Sequence, residues 1–188
     1  MEVQPSQRLR YELVNNNDAQ HLFELDSDPE VMRYVAKGKT TPMEDIIEKA
    51  LPRLNKYTNA ALGWGMWKAI DKESDEFLGW VLVRPFDFFT DEVQWHNLEI
   101  GWRFKQKFWG KGFASEAALA VQNALKRFYA VPQKSAPAQV TKLSAIADKD
   151  NLGSIGVMKK LGLTYVKSYM FQLPNGEQEP VVYYETSL

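Results

Sequence analysis

Between Leu98 and Ala147 the chain changes its periodicity three times, and that order restricts its folding more than any other feature. "LEIGWRF" (98–104) reads as a strand, and the loop "KQKFWGKG" (105–112) carries two glycines around a lysine. "FASEAALAVQNALKRFY" (113–129) reads as one long helix, and "TKLSAIA" (141–147) as a buried strand. A strand, a helix and a second strand in this order predict a parallel pair joined by a right-handed crossover. The other strand candidates come as hairpins, which predicts antiparallel neighbours and hence a mixed sheet.

Upstream, "RLRYELV" (8–14) is a first strand, and Asp18 is placed to cap a helix over "AQHLFELD". "DPEVMRYV" is expected to be helical with Pro29 in its first turn. "TPMEDIIEKALPRLNKY" has Thr41 as expected cap and Glu44 three residues on, the capping-box spacing. Pro52 should kink or end that helix. "GMWKAID" and "EFLGWVLVRP" form a hairpin candidate across "KESD". After the crossover come a short helix over "NLGSIGVMKKLG" closed by Gly162, and two strands, "LTYVKSYMFQL" and "PVVYYETSL". Asn175-Gly176 marks the turn between those strands.

The 188 residues suffice for one domain with a sizeable core, taken as 1–188 with the core at about 8–186. A net charge of -1 lacks the basic footprint of a nucleic-acid binder. With no cysteine, disulfides, thiolate zinc sites and cysteine nucleophiles are excluded. No apolar run is long enough to span a bilayer, and the first residues lack a signal-peptide core. The expectation is a cytoplasmic protein, monomer or homodimer, that uses no metal, no nucleic acid and no membrane.

The glycine loop has a physical use. A helix N-terminus carries unpaired amides and about half an elementary positive charge, a combination that binds phosphate. Gly110 and Gly112 permit unusual backbone angles, and Lys105, Lys107 and Lys111 raise the local potential. The plainer reading is a tight strand–helix connection with solvated lysines. Phe113 stands where a nucleotide-triphosphate loop needs Lys-Ser/Thr, and the third glycine and acidic residue of a dinucleotide fold are missing.

A second stretch, "DKDNLGSIGVMKKLGL", follows the next strand. With it, the sequence resembles the GNAT superfamily of acetyl-coenzyme A-dependent N-acetyltransferases. Lys107-Phe108-Trp109-Gly110-Lys111-Gly112 matches the Q/R-x-x-G-x-G/A loop, with lysine in the first position. "LEIGW", "FWGKGFASEA" and N-x-x-S-x-x-V-M-x-K-L-G-L are similar to the RimJ/RimL-type branch, which acetylates protein N-termini or related amines. The specific resemblance covers Leu98 to Leu163, and element order extends it to the whole chain.

The resemblance implies an α+β fold, with a mixed central sheet, helices on both faces and a splayed parallel strand pair. It implies acetyl-coenzyme A as co-substrate. The diphosphate would rest on amides around Trp109, Gly110, Lys111, Gly112, Phe113 and Ala114, with Lys107 also counted among the cofactor-binding residues. The pantetheine arm would lie near Trp102 and Phe104, with Asn151 hydrogen-bonded to it or serving as a helix cap.

Transfer requires an amine to attack a thioester carbonyl while a thiolate leaves. Amines with reference pKa values of about 8 to 10.4 are mostly protonated at neutral pH, so a base is needed. Strand alternation puts Glu99 on the face opposite Leu98, Ile100, Trp102 and Phe104, making it the candidate base or a salt-bridged carboxylate. His96 is a second candidate. Many relatives carry a tyrosine seven residues after the motif asparagine; Met158 stands there and cannot donate a proton. Ser154 is then the candidate donor to the thiolate, with Tyr165, Tyr169, Tyr183 and Tyr184 as other hydroxyls. The acceptor would be a peptide N-terminal amine. The alternatives are a small amine such as a polyamine or antibiotic, or a non-catalytic acyl-coenzyme A binding domain. Trp64, Trp67, Phe86, Phe88, Phe89 and Trp95 are candidate pocket or core aromatics. Asp87, Asp91 and Glu92 are expected to attract a cationic amine or to be solvated.

Overall fold

A computed structural model describes residues 1–172 and 176–188. Seven strands form one sheet in the order β1-β2-β3-β4-β5-β7-β6. They are β1 (Leu9–Leu13), β2 (Gly65–Asp71), β3 (Phe77–Phe86), β4 (Gln94–Phe104), β5 (Lys142–Asp148), β6 (Thr164–Gln172) and β7 (Gln178–Ser187). The expected turn at Asn175 lies outside the described residues. Every neighbouring pair is antiparallel except β4 with β5, so the sheet is mixed as the crossover required.

Both faces of the sheet are covered. On one face lie α4 (Phe113–Tyr129) and α5 (Leu152–Lys160). Ala117, Ala118, Val121, Ala124 and Leu125 recur at helical spacing and are buried there against Leu78, Val81, Val83, Leu98 and Ile100. The buried Gln122 spends its amide on Leu161 O at 3.0 Å, which ties α4 to the end of α5. On the other face α1 (Ala19–Asp26), α2 (Met43–Asp45) and α3 (Leu51–Asn55) cover Phe77, Trp80 and Leu82. Strand β3 is thus buried on both sides, which explains its nearly unbroken apolar run.

Four local expectations are corrected. Asp18 makes no side-chain cap for α1; Asn15 caps the preceding turn, and Asp18 returns a carboxylate to Asn15 N at 2.8 Å and to buried Lys68 at 2.8 Å. Residues 29–38 form successive hydrogen-bonded turns rather than a helix, ending with Lys37 and Gly38 at positive φ. Thr41 does not cap α2: Pro42 occupies the cap position without a side-chain bond, and Thr41 N donates to Asp26 O at 2.9 Å. Pro52 does not end its helix, which runs on to Asn55. A π turn over Ile46–Ala50 precedes it, and the wider spacing accommodates a residue that has no N–H to donate.

Candidate active site

The parallel pairing of β4 with β5 lasts three residues: Asn97 with Lys142, Leu98 with Leu143, and Glu99 with Ser144. Beyond that rung the strands diverge. β4 continues to Phe104 paired only with β3, while β5 continues to Asp148 paired with β7. Alternate β4 amides past Glu99 therefore face a gap instead of a partner strand. That gap opens into a cleft of about 580 Å³.

The far end of the cleft is the mouth of α4. Gly110 and Gly112 adopt φ of 72° and 81°, the left-handed region that costs a side-chain-bearing residue about 1–2 kcal/mol. A Cβ at Gly110 would meet nothing within 4 Å, so glycine is required there by the turn and not by crowding. Gly112 takes the cap position with no side-chain bond. Among the described residues, the amides from Gly110 to Ser115 find no acceptor of ordinary hydrogen-bond geometry. Glu116 N is the first of the helix to be satisfied, by Gly112 O at 3.0 Å.

This mouth is braced from below. Glu116 accepts from Ser6 Oγ at 2.7 Å, Arg8 N at 2.8 Å and Arg8 Nε at 2.7 Å, while the Arg8 guanidinium lies 3.9 Å from the Phe113 ring centre. Burial pushes the Glu116 carboxyl up, but these three donors outweigh it and hold the group below its ordinary value.

Trp102, Phe104, Trp109, Gly110, Gly112, Phe113, Ala114, Asn151 and Ser154 all line the cleft. Trp109 is fixed there by its indole N–H, which donates to Phe104 O at 2.8 Å. Asn151 is the N-cap of α5: its Oδ1 accepts from Ser154 N at 3.0 Å, leaving the amide nitrogen without a partner among the described residues. The lysines do not behave as one basic patch. Lys107 does not line the cleft and is paired with Glu76, and Lys105 is bound to Glu24 at 2.7 Å. Lys111 makes no ion pair among the described residues and lies 5.9 Å from the Phe108 ring centre. The potential at the loop thus rests on backbone amides more than on lysines.

Glu99 stands at the vertex of the fork on the α1–α3 face. Its Oε2 accepts from Arg84 Nε at 2.7 Å, and its side chain is 12% exposed. Burial pulls the Arg84 guanidinium down, and Glu99 more than offsets it. Beside it, Ser144 Oγ donates to Asn97 Oδ1 at 2.7 Å and lies 2.6 Å from Tyr183 Oη, all three groups buried. The position expected for a tyrosine, Met158, is fully buried in the core. Tyr184 is buried, and Tyr165 lies 3.0 Å from Ser168. Tyr169 is pushed up to about 12 by burial and then by the charges of Asp87 and Glu99. His96 is exposed.

Two groups of residues escaped the sequence. Glu30, Val31, Tyr34 and Val35 wall the cleft from the turns after α1, a stretch expected to be helical but not singled out as part of the site. Arg84 announced itself only as one charge in an apolar strand; its pairing with Glu99 needed the β3–β4 register.

Comparison with known proteins agrees with this geometry. Residues 8–164 match the acetyltransferase (GNAT) domain. YkkB of Bacillus subtilis (strain 168) is 31% identical over 164 residues, covering 86% of this chain and 84% of its own. The FsC-acetyl coenzyme A-N(2)-transacetylase of Aspergillus fumigatus is 29% identical over 93% of this chain and 72% of its own. Among solved structures, a GNAT-family acetyltransferase from Bacillus anthracis has a TM-score of 0.74 at 24% identity, covering 100% of this chain and 98% of its own. RimL, a ribosomal L7/L12 α-N-protein acetyltransferase in complex with coenzyme A, has a TM-score of 0.72 at 16% identity, with the same coverage. The aminoglycoside acetyltransferase AAC(6')-Ib in complex with coenzyme A has 0.69 at 18%, covering 95% and 94%.

A forked sheet with an open helix mouth at one end of its cleft suits an acyltransferase that uses acyl-coenzyme A, and the chain belongs to the GNAT acetyltransferase family. It is an acetyl-coenzyme A-dependent N-acetyltransferase. No helix among the described residues is long and apolar enough to cross a membrane.

Proposed function

We propose that this chain, acting as one domain over 1–188, acetylates the N-terminal amine of a peptide or protein. The observation that carries this reading is continuity. A single cleft runs from the unpaired amides at Gly110–Ser115 past Trp102 and Ser154, and the β4–β5 fork that opens into it has Glu99 at its vertex. The amides suit a diphosphate. The β4 edge suits the amide-bearing arm, and a free β4 N–H suits the oxyanion of the tetrahedral intermediate.

In this reading Glu99 takes the proton from the attacking amine, directly or through a water. Ser154 Oγ makes no hydrogen bond to a described residue, lines the cleft, and serves as donor to the departing thiolate. Asn151 spends its oxygen on the helix and offers its amide to the arm. Lys107 stabilises the loop through Glu76 instead of touching the diphosphate, and Lys111 supplies the nearby charge.

The choice of a peptide amine rests on the residue match to the RimJ/RimL-type motifs. A small-amine acceptor is the second reading, supported by the likeness to the FsC transacetylase. Thiol release from acetyl-coenzyme A, measured with N-terminal peptides, polyamines and aminoglycosides, separates the two. Peptides should be the best acceptors, and a small amine used more efficiently than every peptide would overturn the assignment.

A further inference from the structure

Beside Glu99 the α1–α3 face gathers two guanidinium groups around one aromatic ring. Arg53, on α3, places its guanidinium carbon 3.4 Å from the centre of the Phe89 ring, and Arg84 places its own at 5.5 Å from the same centre. Tyr57 and Phe88 meet Phe89 edge-on at 6.0 and 5.2 Å. Arg84 gives Nε to Glu99, and its two terminal nitrogens hydrogen-bond to no described residue yet keep contact with solvent. The Tyr57 hydroxyl is in the same condition, although the residue as a whole is only 4% exposed. Arg53 forms no ion pair among the described residues, and burial followed by the nearby Arg84 charge holds it below its ordinary value.

The charge count of this corner is specific. Arg53 and Arg84 are positive; Glu99 and Asp87 are the facing carboxyls, and Asp87 accepts from Gln94 at 2.8 Å. Burial, reinforced by Glu99, pushes the Asp87 carboxyl up, while the Gln94 hydrogen bond and the Arg84 charge oppose that rise. A bare ammonium arriving at Glu99 would add a third cation beside two guanidiniums. An acceptor with its own anion adds none, and that anion meets unspent N–H donors on Arg84, Arg53 and the Tyr57 hydroxyl. Guanidinium favours carboxylate through paired N–H bonds.

We infer that the acceptor is a primary amine carrying a carboxylate a few bonds away, with the amine at Glu99 and the carboxylate between Arg53 and Arg84. The inference rests on the acetyl-transfer reading of this site and narrows it. It departs from one of the two expectations for the acids of the β3–β4 loop, that they attract a cationic amine. A free amino acid and a peptide with an acidic residue next to its N-terminus share this chemistry.

The test compares two acceptor pairs: glutamate with glutamine amide, and a Gly-Asp peptide amide with its Gly-Asn counterpart. Thiol release gives kcat/KM, and calorimetry on coenzyme A-loaded protein gives affinity. The acidic member of at least one pair should be preferred about tenfold in both, the scale of one charge-assisted contact. The pair that responds names the source. Arg53→Ala, an exposed site where misfolding is not expected, should bring the ratio near one, and Arg53→Lys should recover part of it. Equal use and equal binding within both pairs, or a preference untouched by Arg53→Ala, overturns the inference. If no acceptor releases thiol while the binding preference persists, the reading of Glu99 as the point of transfer falls and the anion site stands.

Discussion

Arg84 Nε and Glu99 Oε2 meet at 2.7 Å across a rung of the β3–β4 pair, and Glu99 is also the last residue of β4 to pair with β5. One carboxylate therefore answers to two structures. It neutralises a largely buried guanidinium, and it belongs to the last paired rung before the strands part. Glutamine at this position keeps an oxygen that can accept from Arg84 Nε, so the β3–β4 rung survives while the base is removed. Glu99→Gln should lower kcat by about 10²–10⁴-fold, the ordinary contribution of a general base, with the affinity for coenzyme A unchanged. Thiol-release kinetics and calorimetry check this. A variant with wild-type kcat would leave Glu99 only its structural duty.

Gly110 combines a left-handed φ with open space around its Cα. Aspartate tolerates that conformation better than most residues, so Gly110→Asp should cost about 1 kcal/mol of stability, a Tm loss of about 2–4 °C. Its carboxylate would sit against the unpaired amides of the α4 mouth. Coenzyme A affinity should fall by more than tenfold, well beyond the effect on folding. Calorimetry alongside a thermal melt distinguishes the two losses, and equal affinity would remove this loop from coenzyme A binding.

Ser154 gives its backbone N–H to Asn151 Oδ1 and lines the cleft, and its hydroxyl bonds to no described residue. Ser154→Ala keeps the cap and deletes the hydroxyl. Turnover should drop about tenfold or more while coenzyme A affinity stays within about twofold, since proton donation acts only as the thiolate forms. A matching loss in both quantities would assign Ser154 to binding alone.

The sequence revealed most where structure is set by neighbours in the chain. Helix α4 spans the residues its periodicity indicated, because the glycine turn before it and the apolar spacing within it are local signals. The parallel β4–β5 pair follows from the crossover. Distant partners were illegible. Lys105 and Lys107 look like a basic patch until the turn before β3 brings Glu76 and α1 brings Glu24 to them. Asp18 has the spacing of a helix cap, yet Lys68, fifty residues on, claims its carboxylate. The Arg53–Arg84–Glu99 corner joins α3, β3 and β4, and no spacing rule links those three positions.

Glu116 ties the α4 mouth to the N-terminal segment, and this gives stability a definite pH dependence. Its carboxyl is held below the ordinary value of 4.5 that it has in the unfolded chain. A depressed folded-state pKa means that the unfolded state binds the proton more readily. The stabilisation from Ser6 and Arg8 is therefore fully present above about pH 4.5 and is lost as pH falls through the lower folded value. Tm should decline across that acid window. Glu116→Gln should lower Tm at neutral pH, because the charged hydrogen bonds to Arg8 are gone, and should flatten the acid decline. Melts of both proteins from pH 3 to pH 7 test this. Curves that stay parallel throughout would show that Glu116 titrates alike in the folded and unfolded chains.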